Sequence, residues 1–174
     1  MPEITKKICL LGDFSVGKTS LIRRFVEGKF SDDYLSTIGV KISRKSLEIQ
    51  TSTDSCQLNL LLWDLEGNTK FKSITPSYLK GAVGAIIVAD LSRPNTLSSI
   101  SQHIDLFCKV NDQGIILIAL NKADLVSPEK LSKLIQSFTL KNNSLVMETY
   151  ITSAKSGDKV EEMFTQLASE IIKV

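Results

Sequence analysis

Two runs in the middle of the chain constrain its fold most. Ala85–Asp90 (AIIVAD) and Ile115–Asn121 (IILIALN) are apolar at every position but the last. A strand with one wet face alternates polar and apolar side chains, whereas a run apolar on both faces lies between two covering layers. Both runs are rich in the β-branched residues that suit such strands. Helical patterns flank them, and a parallel strand needs a crossover of that kind to return to the sheet. The alternation predicts an α/β fold, a doubly wound and mostly parallel sheet of about six strands with helices on both faces. A length of 174 residues suits one domain with one core, and no linker, repeat or low-complexity segment divides residues 1–174.

The remaining elements fit this plan. Ile8–Leu11 is a short apolar run that ends in a glycine-containing loop. A helical pattern follows, with Leu21, Ile22, Phe25 and Val26 on one face. Residues 38–50 alternate in part, and a polar tip (TSTDS, 51–55) leads into LNLLLW (58–63), which reads as a hairpin that adds one antiparallel strand. Ser127-Pro128 opens a helix with serine as cap and proline at the first position. METYIT (147–152) is a last short strand, before an amphipathic helix from about Lys159 that carries Met163, Phe164, Leu167 and Ile171. Ligands of such sheets bind outside the carboxyl ends of the strands, where the motifs described next all fall.

Charge and cysteines exclude several classes of function. Lys and Arg number 21 against 19 Asp and Glu, a net charge of +2, and the basic pairs Lys6-Lys7 and Arg23-Arg24 are solvated faces rather than a nucleic-acid or membrane surface. Cys9, Cys56 and Cys108 are odd in number and widely spaced, as expected of reduced thiols in a cytoplasmic protein rather than of a disulfide or metal set. No apolar run approaches the ~18 residues of a membrane span, and the N-terminus lacks the pattern of a signal peptide. His103, the only histidine, sits in the helical pattern SSISQHIDLF and reads as a structural or surface residue. Monomer is the expected state.

Gly12-Asp13-Phe14-Ser15-Val16-Gly17-Lys18-Thr19 matches G-x-x-x-x-G-K-[ST], between a predicted strand and a predicted helix that Ser20 continues. Glycines let the backbone curl so that its N–H groups face phosphate oxygens, and the helix N-terminus adds partial positive charge. Lys18 is placed for the β- and γ-phosphates and the Thr19 hydroxyl for Mg²⁺. Asn121-Lys122-Ala123-Asp124 follows the strand IILIALN. A carboxylate there can accept from the N1–H and 2-amino group of guanine, donors that adenine lacks at those places. A buried acceptor left unpaired costs about 10⁴–10⁵ in discrimination. The Lys122 stem can lie along the base and Asn121 can tie neighbouring loops. Ser153-Ala154-Lys155 follows the last strand, with a backbone N–H for the guanine O6.

Together these residues resemble the small GTPases of the Ras superfamily, a family of P-loop NTPase G domains, and the Rab proteins in particular. The resemblance covers essentially the whole chain. Asp33-Tyr34-Leu35-Ser36-Thr37-Ile38-Gly39-Val40 is similar to switch I of Rab proteins, and Trp63-Asp64-Leu65-Glu66-Gly67 to switch II. Phe71–Thr75 and Ser77–Ala82 resemble the Rab segments that follow. The resemblance implies a GTP/GDP switch with Mg²⁺. Thr37 caps the γ-phosphate and ligates Mg²⁺, Asp64 holds the ion through a water, the Gly67 N–H bonds the γ-phosphate, and Phe30 packs on the guanine. Effectors, exchange factors and activating proteins are then expected at the switches.

Three departures from the family pattern cluster at the γ-phosphate. Asn68 stands where the family has the glutamine that orients the attacking water. Phe14 replaces a small residue, and its ring is expected to crowd that amide and any arginine supplied in trans. Glu66 replaces alanine, and its carboxylate is expected to repel the phosphate unless it turns to solvent or pairs with a lysine. Slow hydrolysis follows as the expectation, and Lys41 in place of an acidic residue leaves partner identity open. Two readings remain: a slow GTPase with Lys18, Thr37 and Asn68 in the catalytic set, and a module that holds GTP and recruits a partner with negligible turnover. An ATP-using kinase fails on Asp124 and on the lack of a lid-like insertion. Rab proteins end in a prenylated tail, whereas this sequence stops at Ile171-Ile172-Lys173-Val174 without a C-terminal cysteine. Either a tail has been trimmed, leaving membrane attachment to that segment, or the protein carries no lipid anchor.

Overall fold

A computed structural model describes residues 1–33, 36–67, 74–138 and 144–173. Six strands, β1 (Glu3–Gly12), β2 (Val40–Gln50), β3 (Ser55–Leu65), β4 (Ala82–Asp90), β5 (Ile115–Asn121) and β6 (Val146–Ile151), form one sheet in the order β2-β3-β1-β4-β5-β6. Only β2 runs antiparallel to its neighbour, β3. The strand order turns around β1, so chain connections leave it in opposite directions and open a crevice at its carboxyl end. The helices are α1 (Lys18–Glu27), α2 (Pro94–Ser98), α3 (Ile100–Val110), α4 (Pro128–Ser137) and α5 (Val160–Lys173).

Period-two alternation in β1 builds two cores at once. Ile8 and Leu10 face one layer, with Leu21 and Phe25 of α1 and Phe164 and Leu167 of α5. Cys9 and Leu11 face the other, with Ile100, Ile104 and Phe107 of α3. The same split divides Ile86 and Val88 from Ile87 and Ala89 in β4, and Leu117 and Ala119 from Ile116 and Ile118 in β5. Every one of these residues is buried because both faces are covered. Phe25 and Phe164 stack with ring centroids 4.2 Å apart and planes 6° from parallel, joining α1 to α5. Gly114 leads into β5 in contact with Phe107, and a Cβ added there would lie 2.6 Å from the Phe107 ring.

The hairpin of β2 and β3 closes as expected, with the Thr51 hydroxyl donating to the Asp54 carbonyl at 2.5 Å across the tip. Ser127 caps α4 by accepting from the Lys130 N–H at 3.3 Å, and Pro128 is its first residue. Lys159 adopts φ +59°, and α5 begins at the next residue. Trp63 is half-buried at the end of β3, with Lys7 Nζ 3.5 Å from its ring centroid. Among the described residues, no helix is long and apolar enough to cross a membrane.

Two measurements check this packing. Phe164→Ala should lower the unfolding free energy by about 3–5 kcal/mol in urea titration. Burial pushes the Cys9 thiol up to about 12. It therefore stays a thiol at pH 8. A thiol reagent should label half-buried Cys108 in the folded protein, and Cys9 and Cys56 only on unfolding.

Candidate nucleotide site

The loop between β1 and α1 is held by its carbonyl groups. Lys18 Nζ donates to the Gly12 and Asp13 oxygens at 3.0 and 2.9 Å. Arg93 Nη2 reaches the Phe14 oxygen at 2.7 Å, Lys122 Nζ the Ser15 oxygen at 2.8 Å, and Asn121 Nδ2 the Val16 oxygen at 3.1 Å. The Gly17 oxygen accepts from the Leu21 N–H at 2.9 Å as the first bond of α1. Six consecutive acceptors are thus engaged. Because a trans peptide points its N–H opposite to its C=O, the following N–H groups turn the other way, into a concavity suited to an anion. Two glycines allow the curl. A Cβ at Gly12 would lie 2.4 Å from the Val88 carbonyl oxygen, and one at Gly17, with φ +103°, would lie 2.3 Å from Asn121 Nδ2.

Charges around the loop are balanced in pairs. Asp90 ends β4 with its side chain 1 % exposed, and its Oδ2 accepts from Arg93 Nε at 3.0 Å and Lys122 Nζ at 2.9 Å. Its Oδ1 accepts from the Ser92 N–H and hydroxyl. Burial alone would raise the Asp90 carboxyl, but the bonds from Ser92, Lys122 and Arg93 together hold it below the usual carboxylate range. One buried carboxylate thereby aims two cations at two adjacent loop carbonyls. On the opposite side His103 of α3 lies 2.9 Å from Asp13 Oδ1 through its Nε2. Burial lowers the His103 pKa against the pull of Asp13. The imidazole is then neutral at pH 7 and donates one hydrogen bond to the loop. Lys18 is buried, and desolvation brings its ammonium down to about 8 despite Asp64 and Asp13 nearby. A desolvated cation among inward N–H groups favours a bound anion.

A second cluster lies beside Lys18. The Thr19 and Thr37 hydroxyls are 2.8 Å apart, Thr19 donates to Asp64 Oδ2 at 2.5 Å, and Thr37 lies 3.4 Å from the same oxygen. The carboxylate of Asp64 is buried and its Oδ1 has no hydrogen-bond partner among the described residues. Burial raises its pKa against the bonds from Thr19 and the charge of Lys18. An orphaned buried carboxylate oxygen beside two hydroxyl oxygens fits a hard divalent cation such as Mg²⁺, which takes oxygen ligands.

The far end of the cleft is tied to the loop by Asn121. Its Oδ1 accepts from the Thr152 hydroxyl at 3.1 Å and the Ala154 N–H at 3.3 Å, while its Nδ2 holds Val16. Asp124 Oδ1 accepts from the Ser153 hydroxyl at 2.7 Å, which fixes the carboxylate in the wall. The cleft has a volume of about 410 Å³. Phe14, Ser15, Gly17, Lys18, Thr19, Ser20, Phe30, Thr37, Asp64 and Gly67 line it, with Asn121, Lys122, Asp124, Ala154 and Lys155. Gly12, Asp13, Val16 and Ser153 lie behind the lining and act through the carbonyl, ion-pair and hydroxyl contacts given above. Asn68 falls outside the described residues, as do Tyr34, Leu35 and Phe71–Ser73. Leu125 and Arg23 line the cleft without having been expected there, and Asp90, Arg93 and His103 carried no motif that could have marked them.

Two of the departures lie among the described residues. The Glu66 carboxylate, expected to repel a terminal phosphate, accepts from the Gly39 N–H at 2.9 Å, and the Glu66 N–H donates to the Gly39 carbonyl at 2.8 Å. Its carboxylate is thus engaged by the backbone of Gly39. The Phe14 side chain is 40 % exposed at the cleft mouth, and a Cβ on Gly67 would lie 2.4 Å from Phe14 Cα.

Comparison with known proteins agrees with this geometry. The family model described as Ras family matches residues 7–173. Ras-related protein Rab-1C of Dictyostelium discoideum is 37 % identical over 173 residues, spanning 98 % of this chain and 83 % of that protein. Ras-related protein Rab-32B of the same organism is 36 % identical, spanning 97 % of this chain and 65 % of the relative. Ras-related protein Rab11B of Nicotiana tabacum is 34 % identical over 174 residues, spanning 97 % and 75 %. With a family match over nearly its full length, a six-stranded sheet of this order and a phosphate loop at its crevice, the chain belongs to the Ras family and is Rab-like within it.

Proposed function

We propose that the protein, as one G domain over residues 1–174, is a GTP/GDP switch that works with Mg²⁺ and hydrolyses GTP slowly. One observation carries the reading. The phosphate loop, the Thr19–Thr37–Asp64 oxygens and the Asp124 carboxylate all border one cleft, with Asn121 bonded to both of its ends. Phosphates enter the concavity of the loop, and Lys18 keeps the Gly12 and Asp13 carbonyls while its third donor goes to a phosphate oxygen. Thr19, Thr37 and Asp64 hold Mg²⁺, which neutralises charge on the β- and γ-phosphates when bound. In the hydrolysis step the water oxygen bonds the γ-phosphorus, the bond to the β-γ bridging oxygen breaks, and the charge that develops faces Lys18 and the loop N–H groups. Asp124 accepts from the guanine N1–H and 2-amino group, Phe30 and the Lys122 stem flank the base, and a backbone N–H of the Ser153–Lys155 loop meets O6.

Slow turnover rests on residues around the γ-phosphate. The Asn68 amide is one methylene short of a glutamine, and a misplacement of about 1 Å costs ~100-fold. Phe14 occupies the mouth against Gly67, where an arginine supplied in trans would enter. A second reading, a GTP-holding module that recruits a partner through residues 33–40 and 63–67, is favoured by the Glu66–Gly39 bridge, because it ties the two partner-facing segments together. On either reading the protein acts as a cytoplasmic monomer, partnered by effector, exchange-factor and activating proteins and not by nucleic acid.

Single-turnover hydrolysis of GTP by the Mg²⁺-loaded protein separates the readings. The parent should be slow and Asn68→Gln faster by about 10-fold or more, up to the ~100-fold that misplacement costs. A parent as fast as ordinary family members overturns slow hydrolysis, and equal inertness of both supports the holding module. Asp124→Ala should weaken GDP binding by at least about 100-fold, the worth of two hydrogen bonds to a charged group, while the weak binding of ADP stays as it was. A GDP preference that survives the substitution removes Asp124 from base recognition.

A further inference from the structure

We propose that Arg24 of α1 is a positioning residue for base recognition, turning a backbone N–H of the Ala154–Lys155 loop toward the O6 of guanine. The inference rests on the guanine reading given above and names a residue that no motif marks. Arg24 Nε donates to the Ala154 carbonyl at 2.8 Å, and Nη2 of the same guanidinium donates to the Lys155 carbonyl. Its Nη1 reaches the Gly28 carbonyl, just past the end of α1, at 3.3 Å. One planar fork thus grips two successive carbonyls of a loop 130 residues away and anchors them to its own helix end.

Peptide geometry converts this grip into aim. The Ala154 carbonyl and the Lys155 N–H belong to one planar trans unit, so holding the oxygen toward Arg24 sends the N–H the opposite way. Ala154 and Lys155 line the cleft, whereas Arg24 is absent from the described lining and lies behind that wall. The Ala154 N–H is already given to Asn121 Oδ1 at 3.3 Å, which leaves the Lys155 N–H as the donor that the fork orients. The stem of Arg24 is itself seated, with Gly157 approaching closely enough that a Cβ there would lie 3.6 Å from Arg24 Cδ. Lysine cannot do the same work, because a single ammonium on a flexible stem does not span two carbonyls in fixed geometry.

The test uses GDP beside 6-thio-GDP, which keeps the N1–H and 2-amino group but replaces O6 with a weakly accepting sulfur. Both are measured by competition against a fluorescent GDP, on the parent and on Arg24→Lys, which keeps the charge. The parent should prefer GDP by about threefold to tenfold, the worth of one neutral hydrogen bond. In Arg24→Lys that preference should fall toward one, while the preference for GDP over IDP, which reports the 2-amino group and Asp124, is retained. General loosening of the fold weakens GDP and 6-thio-GDP by the same factor, and that result, or an unchanged preference, overturns the proposal. A parent that binds ADP as tightly as GDP overturns the guanine reading itself, and this proposal with it.

Discussion

The engagement of every carbonyl from Gly12 to Gly17 is the constraint on which the site depends. A loop rich in N–H groups attracts an anion only if its own oxygens point elsewhere, and here three are held from α1 and three from residues at the ends of β4 and β5. Arg93 follows β4, Asn121 ends β5 and Lys122 follows it, and Lys18 begins α1. The loop is a meeting point of three successive crossovers, and Asp90 stands under two of its cations. Remove that carboxylate and Arg93 and Lys122 keep their carbonyl partners but lose the charge that fixes their direction. Asp90 is the buried charge, and a buried carboxylate without its cations is costly, so the charge balance of the loop and its shape are one property.

The sheet supplies the rigidity that such an arrangement needs. Because β1, β4 and β5 are covered on both faces, their carboxyl ends cannot shift independently. The side chains that start from those ends inherit fixed origins. The metal-ligand candidates use the same device from another direction. Asp64 lies at the end of β3, one strand over from β1, and meets Thr19 at the start of α1. The residues proposed for phosphate, metal and base therefore hang from neighbouring strand ends rather than from free loops.

How much of this was legible in the sequence depended on distance along the chain. The apolar runs of β4 and β5, the hairpin and the helix opened by Ser127-Pro128 are local patterns, and each stands where its residues placed it. The Gly12–Thr19 loop and Asn121–Asp124 are motifs of fixed spacing, and the structure brings residues of both to one cleft. His103 was not. A histidine in an amphipathic helix carries no sign of the aspartate 90 residues earlier that it bonds. Arg24 read as half of a solvated basic pair, yet its donors are spent on a loop near the other terminus. Arg93 and Asp90 sit in an ordinary turn by composition. The bond of Glu66 was not legible for a different reason: the direction of a side chain depends on the backbone groups around it, and the Glu66 carboxylate accepts from the Gly39 N–H.

The Glu66–Gly39 bridge extends the ladder of β2 and β3 one step beyond Val40 and Leu65. The residues just before β2 and just after β3 are consequently the two leaves of a zip whose closed end is the turn at Thr51–Asp54, remote from the cleft. Opening one leaf requires releasing the other, at about 1 kcal/mol for each of the two hydrogen bonds. A force on either leaf is met by the stiffness of the whole ribbon, so movement at this end takes the form of a change in the length of paired backbone rather than the displacement of one loop.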